Sequence, residues 1–252
     1  MAVDLVSASA EVAVEPLRAA SQATLSRADR FALIGKTGSG KTYFAVALLW
    51  HLMQGASPGW KAVIVDSKGD TQDRARFERW GFMPTALRDL GRTKERLVTV
   101  PLRQGPSEKE TVYQRAQALF RWAYARRRVI LLVDEYTQVV RSRTDPGPGL
   151  REVFARGRGR GVGLIGCTQE PVYVPRMLLS QASHELIFRL TFGNDIRAVR
   201  GMYPDYEVPP NLYGFYYRWV DGPSTEWAYY PNGGNFLAEL QVPKPGHLAT
   251  VG

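Results

Sequence analysis

The residues from Gly35 to Thr42 read GKTGSGKT, a segment that combines three glycines with two lysines and three hydroxyl side chains. Glycine allows the tight backbone turns that point successive N–H groups at one anion, and lysine and hydroxyl groups add further donors. The spacing fits G-x-x-x-x-G-K-[ST], which is typical of loops that hold a chain of phosphates. The segment therefore predicts a binding site for a nucleoside triphosphate. The residues predicted to bind it are Gly35, Lys36, Thr37, Gly38, Ser39, Gly40, Lys41 and Thr42.

Individual residues of this phosphate loop have separate predicted roles. Lys41 should reach the β- and γ-phosphates of ATP, and Thr42 should offer its hydroxyl oxygen to Mg²⁺. Thr37 and Ser39 fit a tight turn and could add donors for phosphate oxygens. Lys36 has two alternatives, because its side chain could face solvent or reach a phosphate held by a neighbouring subunit.

Two adjacent acids, Asp134 and Glu135, follow the apolar run VILLV at residues 129–133. Asp134 fits the residue that holds Mg²⁺ through water, and Glu135 fits a general base that activates the attacking water. A glutamate in this place favours a hydrolase, because a kinase passes the phosphoryl group to another substrate instead. The alternative interpretation is a pair of solvated loop acids.

Short apolar runs rich in valine, isoleucine and leucine recur along the chain. They read FALIG, KAVIVDSKGD, RLVTVP, VILLVDEY, VGLIGCTQ and ELIFRL. Such near-continuous runs are typical of parallel strands buried on both faces, and helix-like segments lie between them. The pattern therefore predicts an α/β fold, in which helices flank a mostly parallel sheet.

Aromatic residues cluster towards the C-terminal end in GFYYRWV and TEWAYYP, on either side of the turn-forming residues DGPS. This arrangement predicts an antiparallel hairpin, which we expect at the sheet edge. We interpret the aromatics as a cover for the sheet, with a base-stacking platform as the alternative. The loop RSRTDPGPG at 141–149 is basic and rich in proline and glycine, and we expect it to be mobile.

The 252 residues carry a net charge of +9 and include a single cysteine, Cys167. The length suits one domain with modest extensions, predicted as an N-terminal arm (1–28), a P-loop ATPase domain (29–240) and a C-terminal tail (241–252). The basic charge favours contact with a polyanion, with simple solubility or arginine-rich codon usage as alternatives. The apolar runs are too short to span a bilayer and no secretory signal is visible. We therefore expect a cytoplasmic protein with no integral membrane segment.

A third motif, ARGRGRGVGLIGCTQEPVYVP at 155–175, leads from a basic, glycine-containing turn through an apolar run to Thr168 and Gln169. With the phosphate loop and VIVDSKGD at 63–70, it resembles the FtsK–HerA superfamily of DNA-pumping ATPases. The resemblance covers roughly residues 30–230. The compact length looks most like the genome-packaging ATPases of tailless double-stranded DNA viruses. The resemblance implies a RecA-like P-loop NTPase fold and a homo-oligomeric ring, with a hexamer favoured.

The resemblance also implies roles for a glutamine and for an arginine. Gln169 would sense the γ-phosphate, and the alternative is that it caps the turn before Pro171. In ring ATPases an arginine from the next subunit stabilises charge on the transferred phosphoryl group. The match favours Arg158 for this role, with Arg156 close behind. Arg160 is predicted to bind nucleic acid, and DNA binding is the alternative for the other two arginines as well.

Two further pairs of residues have predicted roles beside the acidic pair. Arg141 and Arg143 begin the basic loop, which we predict to line a central pore and to grip the DNA backbone. Backbone contacts suit a motor that must move any sequence. Asp66 and Lys68 end a neighbouring strand, where they could pair with each other or touch the nucleotide site in a supporting role.

The resulting hypothesis is an ATP-driven translocase of double-stranded DNA that packages a viral genome into a preformed capsid, using ATP and Mg²⁺. It would work in the host cytoplasm and be recruited to a capsid vertex, with a capsid or membrane vertex protein as partner. The alternatives are a plasmid-transfer or chromosome-partition motor, a regulatory switch that rarely hydrolyses ATP, and a small-molecule kinase. The chain lacks N-K-x-D and L-S-G-G-Q motifs, which disfavours GTPases and ABC-type ATPases.

Overall fold

The structure of the chain is a computed structural model. It describes residues 25–54, 56–103, 109–174, 176–221, 226–232 and 236. Most of the predicted arm (1–24) and the whole predicted tail (241–252) lie outside these residues. The predicted domain boundaries therefore stay predictions.

Nine strands among the described residues form a single sheet. They are β1 (Arg30–Ile34), β2 (Lys61–Asp66), β3 (Met83–Pro84), β4 (Leu97–Pro101), β5 (Val129–Val133), β6 (Val162–Thr168), β7 (His184–Phe188), β8 (Phe215–Trp219) and β9 (Ala228–Tyr230). Their order across the sheet is β3-β4-β2-β5-β6-β1-β7-β8-β9. All pairs from β3 to β7 are parallel, whereas β8 runs antiparallel to both β7 and β9. The predicted α/β fold with an antiparallel edge hairpin is confirmed.

Six α-helices in the described part of the chain flank this sheet. They are α1 (Lys41–Met53), α2 (Thr71–Arg79), α3 (Lys109–Arg126), α4 (Pro148–Arg156), α5 (Arg176–Ser180) and α6 (Gly193–Met202). Short 3-10 turns lie at Leu87–Asp89, Tyr136–Gln138, Arg158–Arg160 and Pro171–Tyr173. None of the helices described is both long and apolar enough to cross a bilayer.

Apolar clusters cover both faces of the sheet. Successive side chains of a strand point to opposite faces, so each central strand contributes to both clusters. In β5, Ile130 and Leu132 pack into the apolar cluster that contains α1, while Leu131 and Val133 pack into the cluster that contains α3 and α4. Every residue of β5 is buried. Two covered faces explain why this strand reads as one unbroken apolar run.

The aromatic residues of the hairpin cover the sheet, as predicted. Phe215, Tyr217 and Tyr230 are fully buried, and each packs its ring against Phe236. Phe215 also contacts Phe44 of α1, with 5.2 Å between ring centroids. These rings are inside the core, so they do not form a base-stacking surface. Four residues of the hairpin turn (222–225) lie outside the described residues.

Two elements lack a clear signal in the sequence. Strand β3 has only two residues, both exposed, and one of them is Pro84. Helix α6 begins at a glycine, has no side-chain cap and buries only Val199. Both elements are defined by their neighbours: β3 by its parallel pairing with β4, and α6 by packing on the segment Pro171–Tyr173.

The strand order brings three loops to one edge of the sheet. Strand β6 lies between β5 and β1, and all three strands run in the same direction. Their carboxyl ends lead into residues 134–135, 169–170 and 35–40. Ligands of open α/β sheets bind outside the carboxyl ends of the strands. The fold therefore gathers the three predicted motifs in one place.

The basic loop at 141–149 is anchored at several points, although its composition predicts mobility. The buried Gln117 of α3 donates from Nε2 to the carbonyls of Val139 and Pro146, at 3.3 and 3.0 Å. Its Oε1 accepts from the N–H groups of Gly149 and Leu150 in the first turn of α4, at 2.9 and 3.2 Å. One side chain thus ties the loop and caps a helix that has no cap of its own.

We predict that Gln117→Leu lowers the free energy of unfolding by about 1–3 kcal/mol, because it leaves four buried polar groups without partners. Urea denaturation followed by circular dichroism measures the change. Gln114→Leu is the matched control, since Gln114 lies on the same helix but is exposed. Equal losses in the two variants would contradict the anchoring role.

Candidate functional site

The phosphate loop has the backbone shape that its glycines predict. Gly38 and Gly40 have positive φ angles of 76° and 85°, a region that disfavours side chains with a Cβ. Gly40 immediately precedes α1, whose first turn has neither a side-chain cap nor an acidic residue. The N–H groups at this helix end are therefore free to bind an anion, which the helix dipole also favours.

Neighbouring strands hold the start of the loop in place. The N–H of Gly35 donates to the carbonyl of Thr168 at 3.1 Å, and the N–H of Lys36 donates to the carbonyl of Arg189 at 3.2 Å. A Cβ on Gly35 would lie 2.5 Å from Cβ of Phe188, so only glycine fits there. These contacts fix the loop between the ends of β6 and β7.

The Lys41 side chain is buried within the loop. Its Nζ donates to the carbonyl of Lys36 at 3.2 Å, and the Ser39 hydroxyl donates to the same carbonyl at 2.8 Å. Burial lowers the pKa of Lys41. An ammonium group with a single carbonyl partner in a buried place is suited to bind phosphate oxygens, which would complete its hydrogen bonds. The side chain of Lys36 lines an open cleft beside the loop.

Thr42 and Asp134 meet across the edge of the sheet. The Thr42 hydroxyl donates to Oδ1 of Asp134 at 2.7 Å, although the two residues are 92 positions apart. A hydroxyl and a carboxylate in contact are the protein oxygens that Mg²⁺ takes in phosphate-loop enzymes, so the residues fit this ion. No group of three or more His, Cys, Asp or Glu side chains in the described ranges could hold a metal ion. Phosphate oxygens would have to supply the remaining ligands.

The adjacent acids are buried, whereas the alternative interpretation requires them to be solvated. Asp134 is 4% exposed and Glu135 is 6% exposed. Burial raises the pKa of Glu135, while the nearby Lys68 opposes this shift. The hydroxyl of Thr137 donates to Oε1 of Glu135 at 3.0 Å. Glu135 is therefore a buried carboxylate with one oriented oxygen, which suits the role of a general base.

Lys68 also belongs to the site, but it does not pair with Asp66. Lys68 Nζ lies 2.7 Å from Oδ2 of Asp134. Asp66 instead accepts hydrogen bonds from Arg74 and from the N–H of Gly69, at 2.8 and 2.7 Å. Of the two alternatives in the sequence, the contact with the nucleotide site is the one that the structure contains.

Gln169 faces the phosphate loop. Its Oε1 accepts a hydrogen bond from the hydroxyl of Thr37. The turn that follows is capped by a different residue, since Oγ1 of Thr168 accepts from the N–H of Glu170 at 3.1 Å. Gln169 thus lies beside the phosphate loop and does not cap the turn. Thr37 and Gln169 both line the open cleft, together with the exposed rings of Tyr173 and Phe192.

The three arginines of the basic turn lie at the other end of the sheet. Arg156, Arg158 and Arg160 precede the seven-residue strand β6, whereas the nucleotide site follows its carboxyl end. A strand of this length spans roughly 20 Å, so these side chains do not reach the site of their own subunit.

Their contacts within the chain differ. Arg158 pairs with Asp221 and Asp29, at 3.1 and 3.7 Å, and also donates to the Ser183 hydroxyl. The guanidinium of Arg160 stacks over the Tyr124 ring at 4.3 Å. Arg156 is exposed at the end of α4 and has no ion-pair partner in the described part of the chain.

Arg141 and Arg143 follow the acidic pair at the nucleotide end of the sheet. Both are exposed. Arg141 pairs with Glu110 at 2.8 Å, and its guanidinium lies over the Tyr113 ring, 4.6 Å from the centroid. The solvated ion pair is weak and leaves the guanidinium accessible to another anion.

Part of the chain matches a known protein family. Residues 26–115 match the model of the family described as "Helicase HerA, central domain". No curated protein sequence matches the chain. The matched range includes the phosphate loop and the segment 63–70 that contains Lys68, and it precedes the acidic pair.

Solved structures share the fold. The genome packaging NTPase B204 from Sulfolobus turreted icosahedral virus 2, in complex with ATP-gammaS, matches with TM-score 0.61 and 18% identity over 82% of this chain and 99% of that chain. The pCW3 conjugation coupling protein TcpA matches with TM-score 0.51 and 16% identity, over 81% and 60% of the two chains. The cytoplasmic domain of the Thermomonospora curvata type VII secretion ATPase EccC matches with TM-score 0.50 and 15% identity, over 81% and 24%. The family match confirms the predicted resemblance to HerA over residues 26–115, and the solved structures show a shared fold.

We predict that Gly40→Ala lowers the free energy of unfolding by about 1–2 kcal/mol, because alanine is strained at a φ of +85°. Gly201→Ala is the control. Gly201 lies inside α6 with open space around it, so alanine there should leave stability unchanged or raise it. Urea denaturation of both variants measures the difference. A Gly40→Ala protein as stable as the parent would show that the loop does not need its left-handed residue.

Proposed function

We propose that this protein is an ATP-driven translocase of double-stranded DNA, which packages a viral genome into a preformed capsid. The observation that supports this function most directly is the convergence of Thr42, Asp134, Glu135 and Gln169 at one edge of the sheet. The match to almost the whole length of a genome packaging NTPase favours packaging among the activities of this fold. Such a protein would work in the host cytoplasm, recruited to a capsid vertex.

The nucleotide would bind with its phosphates inside the loop from Gly35 to Thr42. The free N–H groups at the start of α1 would hold phosphate oxygens, and Lys41 would turn from the Lys36 carbonyl to the β- and γ-phosphates. Thr42 and Asp134 would hold Mg²⁺. When bound, this ion supplies positive charge to the phosphate oxygens.

Hydrolysis would begin at Glu135. Its carboxylate would take a proton from a water molecule, whose oxygen forms a bond to the γ-phosphorus. The bond from the γ-phosphorus to the oxygen that bridges the β- and γ-phosphates then breaks, and that oxygen leaves with ADP. The burial that raises the pKa of Glu135 makes it a better proton acceptor than a solvated glutamate. Lys41 would neutralise the charge that develops on the phosphoryl group.

Gln169 would report the loss of the γ-phosphate. It already contacts Thr37 in the phosphate loop, and residues 170–174 follow it directly. A change in this contact would move the 3-10 turn Pro171–Tyr173, which packs against α6. We therefore expect hydrolysis to change the shape of the cleft beside the loop.

A neighbouring subunit would supply the remaining cation. Arg156 and Arg158 lie at the end of the sheet opposite the nucleotide site, so either would act only on a nucleotide bound to the next copy of the chain. This head-to-tail arrangement closes into a ring, and we propose a hexamer. Arg158 would first have to leave Asp29 and Asp221, whereas Arg156 is free to act. These contacts favour Arg156 over Arg158, which the sequence resemblance favours.

The DNA would be held by its phosphates. Arg141 and Arg143 lie exposed on a loop anchored by Gln117, close in sequence to the catalytic acids. Because it follows the acids closely in the chain, this anchored loop would shift together with them when the nucleotide site changes. Arg160 would add a contact at the opposite end of the sheet, where its guanidinium is held flat on Tyr124.

Plasmid transfer is a second candidate function. The match to the conjugation coupling protein TcpA supports it, at 16% identity and a TM-score of 0.51. The site chemistry is the same in both cases. Dependence of capsid filling on this protein distinguishes packaging from transfer.

We predict that Lys41→Ala abolishes ATP binding, because the buried cation for the β- and γ-phosphates is lost. Glu135→Gln should bind ATP but lose turnover by at least about a hundredfold, since the amide cannot accept the proton. Binding of a fluorescent ATP analogue and release of inorganic phosphate measure the two effects. Normal phosphate release by Glu135→Gln would remove the assignment of the general base.

We predict that duplex DNA accelerates phosphate release, as a motor requires and a regulatory switch does not. Replacement of both Arg141 and Arg143 by Ala should weaken duplex binding and lower the slope of log affinity against log salt concentration by about 2. Fluorescence anisotropy with labelled duplex measures the slope. Arg92→Ala with Lys94→Ala, exposed residues in another loop, is the control. An unchanged slope in the Arg141 and Arg143 variant would exclude them from the DNA site.

A further inference from the structure

We propose that Lys68 keeps the metal site closed to free divalent cations, so that metal binding depends on a bound triphosphate. This inference rests on the proposed function for the identity of the nucleotide and deepens it by giving an order to binding.

Both oxygens of the Asp134 carboxylate are already in use. Oδ1 accepts from the Thr42 hydroxyl at 2.7 Å, and Oδ2 lies 2.7 Å from Lys68 Nζ. Asp134 is 4% exposed, so water does little to stabilise its charge. The charge is balanced instead by the ammonium group of Lys68, which contacts the carboxylate oxygen that Thr42 does not contact.

Lys68 is fixed by its backbone. Gly69 follows it with a φ of +74°, and the N–H of Gly69 donates to Asp66 Oδ1 at 2.7 Å. On the other side, Arg103 Nε donates to the carbonyl of the buried Ser67 at 2.9 Å. The turn is thus held from both sides, which aims one lysine at Asp134. A free surface lysine would not be restrained in this way.

Two lysines, Lys41 and Lys68, lie beside two carboxylates, Asp134 and Glu135. A third carboxylate, Asp73, lies near Lys68 but pairs with Arg76 at 2.9 Å. The ammonium group of Lys68 contacts Asp134 directly, with 2.7 Å between Nζ and Oδ2.

A free divalent cation gains little in such a place. It would lose its hydration, meet two ammonium groups and find that Asp134 is already paired with one of them. The described residues contain no group of His, Cys, Asp and Glu side chains able to hold a metal ion without further ligands. A triphosphate changes this balance, because it brings several negative charges and the missing oxygen ligands. Metal and nucleotide are thus expected to bind together.

The test measures binding of Mn²⁺ alone, by electron paramagnetic resonance of the free ion, at constant ionic strength and without nucleotide. Lys68→Gln is the main variant, because the amide keeps a donor for Asp134 but carries no charge. We expect its affinity for Mn²⁺ to exceed that of the parent protein by at least about tenfold. Lys68→Arg, which keeps the charge, should bind Mn²⁺ as weakly as the parent.

Two further variants separate this effect from structural damage. Lys68→Met is a second neutral variant, in case Lys68→Gln does not fold, and circular dichroism verifies both. Lys68→Gln combined with Asp134→Asn should lose the added Mn²⁺ binding, since the carboxylate charge that Lys68→Gln leaves unpaired is then removed. Mn²⁺ binding that is equally weak in the parent and both neutral variants would overturn the proposal. So would tight Mn²⁺ binding by the parent protein without nucleotide. Neither readout depends on ATP turnover, so failure of the proposed ATPase function would be seen separately.

Discussion

The hydrogen bond between Thr42 and Asp134 is the contact on which the rest of the site depends. It joins the start of α1, which follows β1 and the phosphate loop, to the end of β5, and β1 and β5 are not neighbours in the sheet. The insertion of β6 between β1 and β5 sets the width of the gap that this bond closes. The same strand places Gln169 between the phosphate loop and the acids. One strand order therefore positions the loop, the candidate metal-binding oxygens of Thr42 and Asp134, and Gln169, which contacts the loop.

Much of the fold could be predicted because burial on both faces leaves a strong pattern. The apolar runs that end at Ile34, Val133 and Thr168 are strands, and the aromatic runs near the C-terminal end form the hairpin. Strand β3 and helix α6 could not be predicted from the sequence. Each buries little or nothing of its own, so packing against neighbours decides its structure, and local propensity does not report that packing.

The convergence of the candidate site residues could be predicted to a similar extent. The residues of the loop and the acids have fixed spacings along the chain, and the structure brings them together. The partner of Lys68 could not be predicted, because Asp66 lies two residues away and is the nearer acid in sequence. The turn at Gly69 points Asp66 towards Arg74 and leaves Lys68 to reach across to Asp134. Likewise, the acids that hold Arg158 come from distant segments, at Asp29 and Asp221.

The short edge strand β3 has a consequence for how copies of the chain can join. An open sheet edge normally invites main-chain pairing with another molecule. Here that edge consists of two residues, and the ring of Pro84 removes one of its N–H donors. Growth of the sheet from one copy into the next is therefore blocked on this side. A copy that assembled on this side would have to make its contacts through side chains, a type of contact that can loosen and re-form without breaking a ladder of backbone bonds.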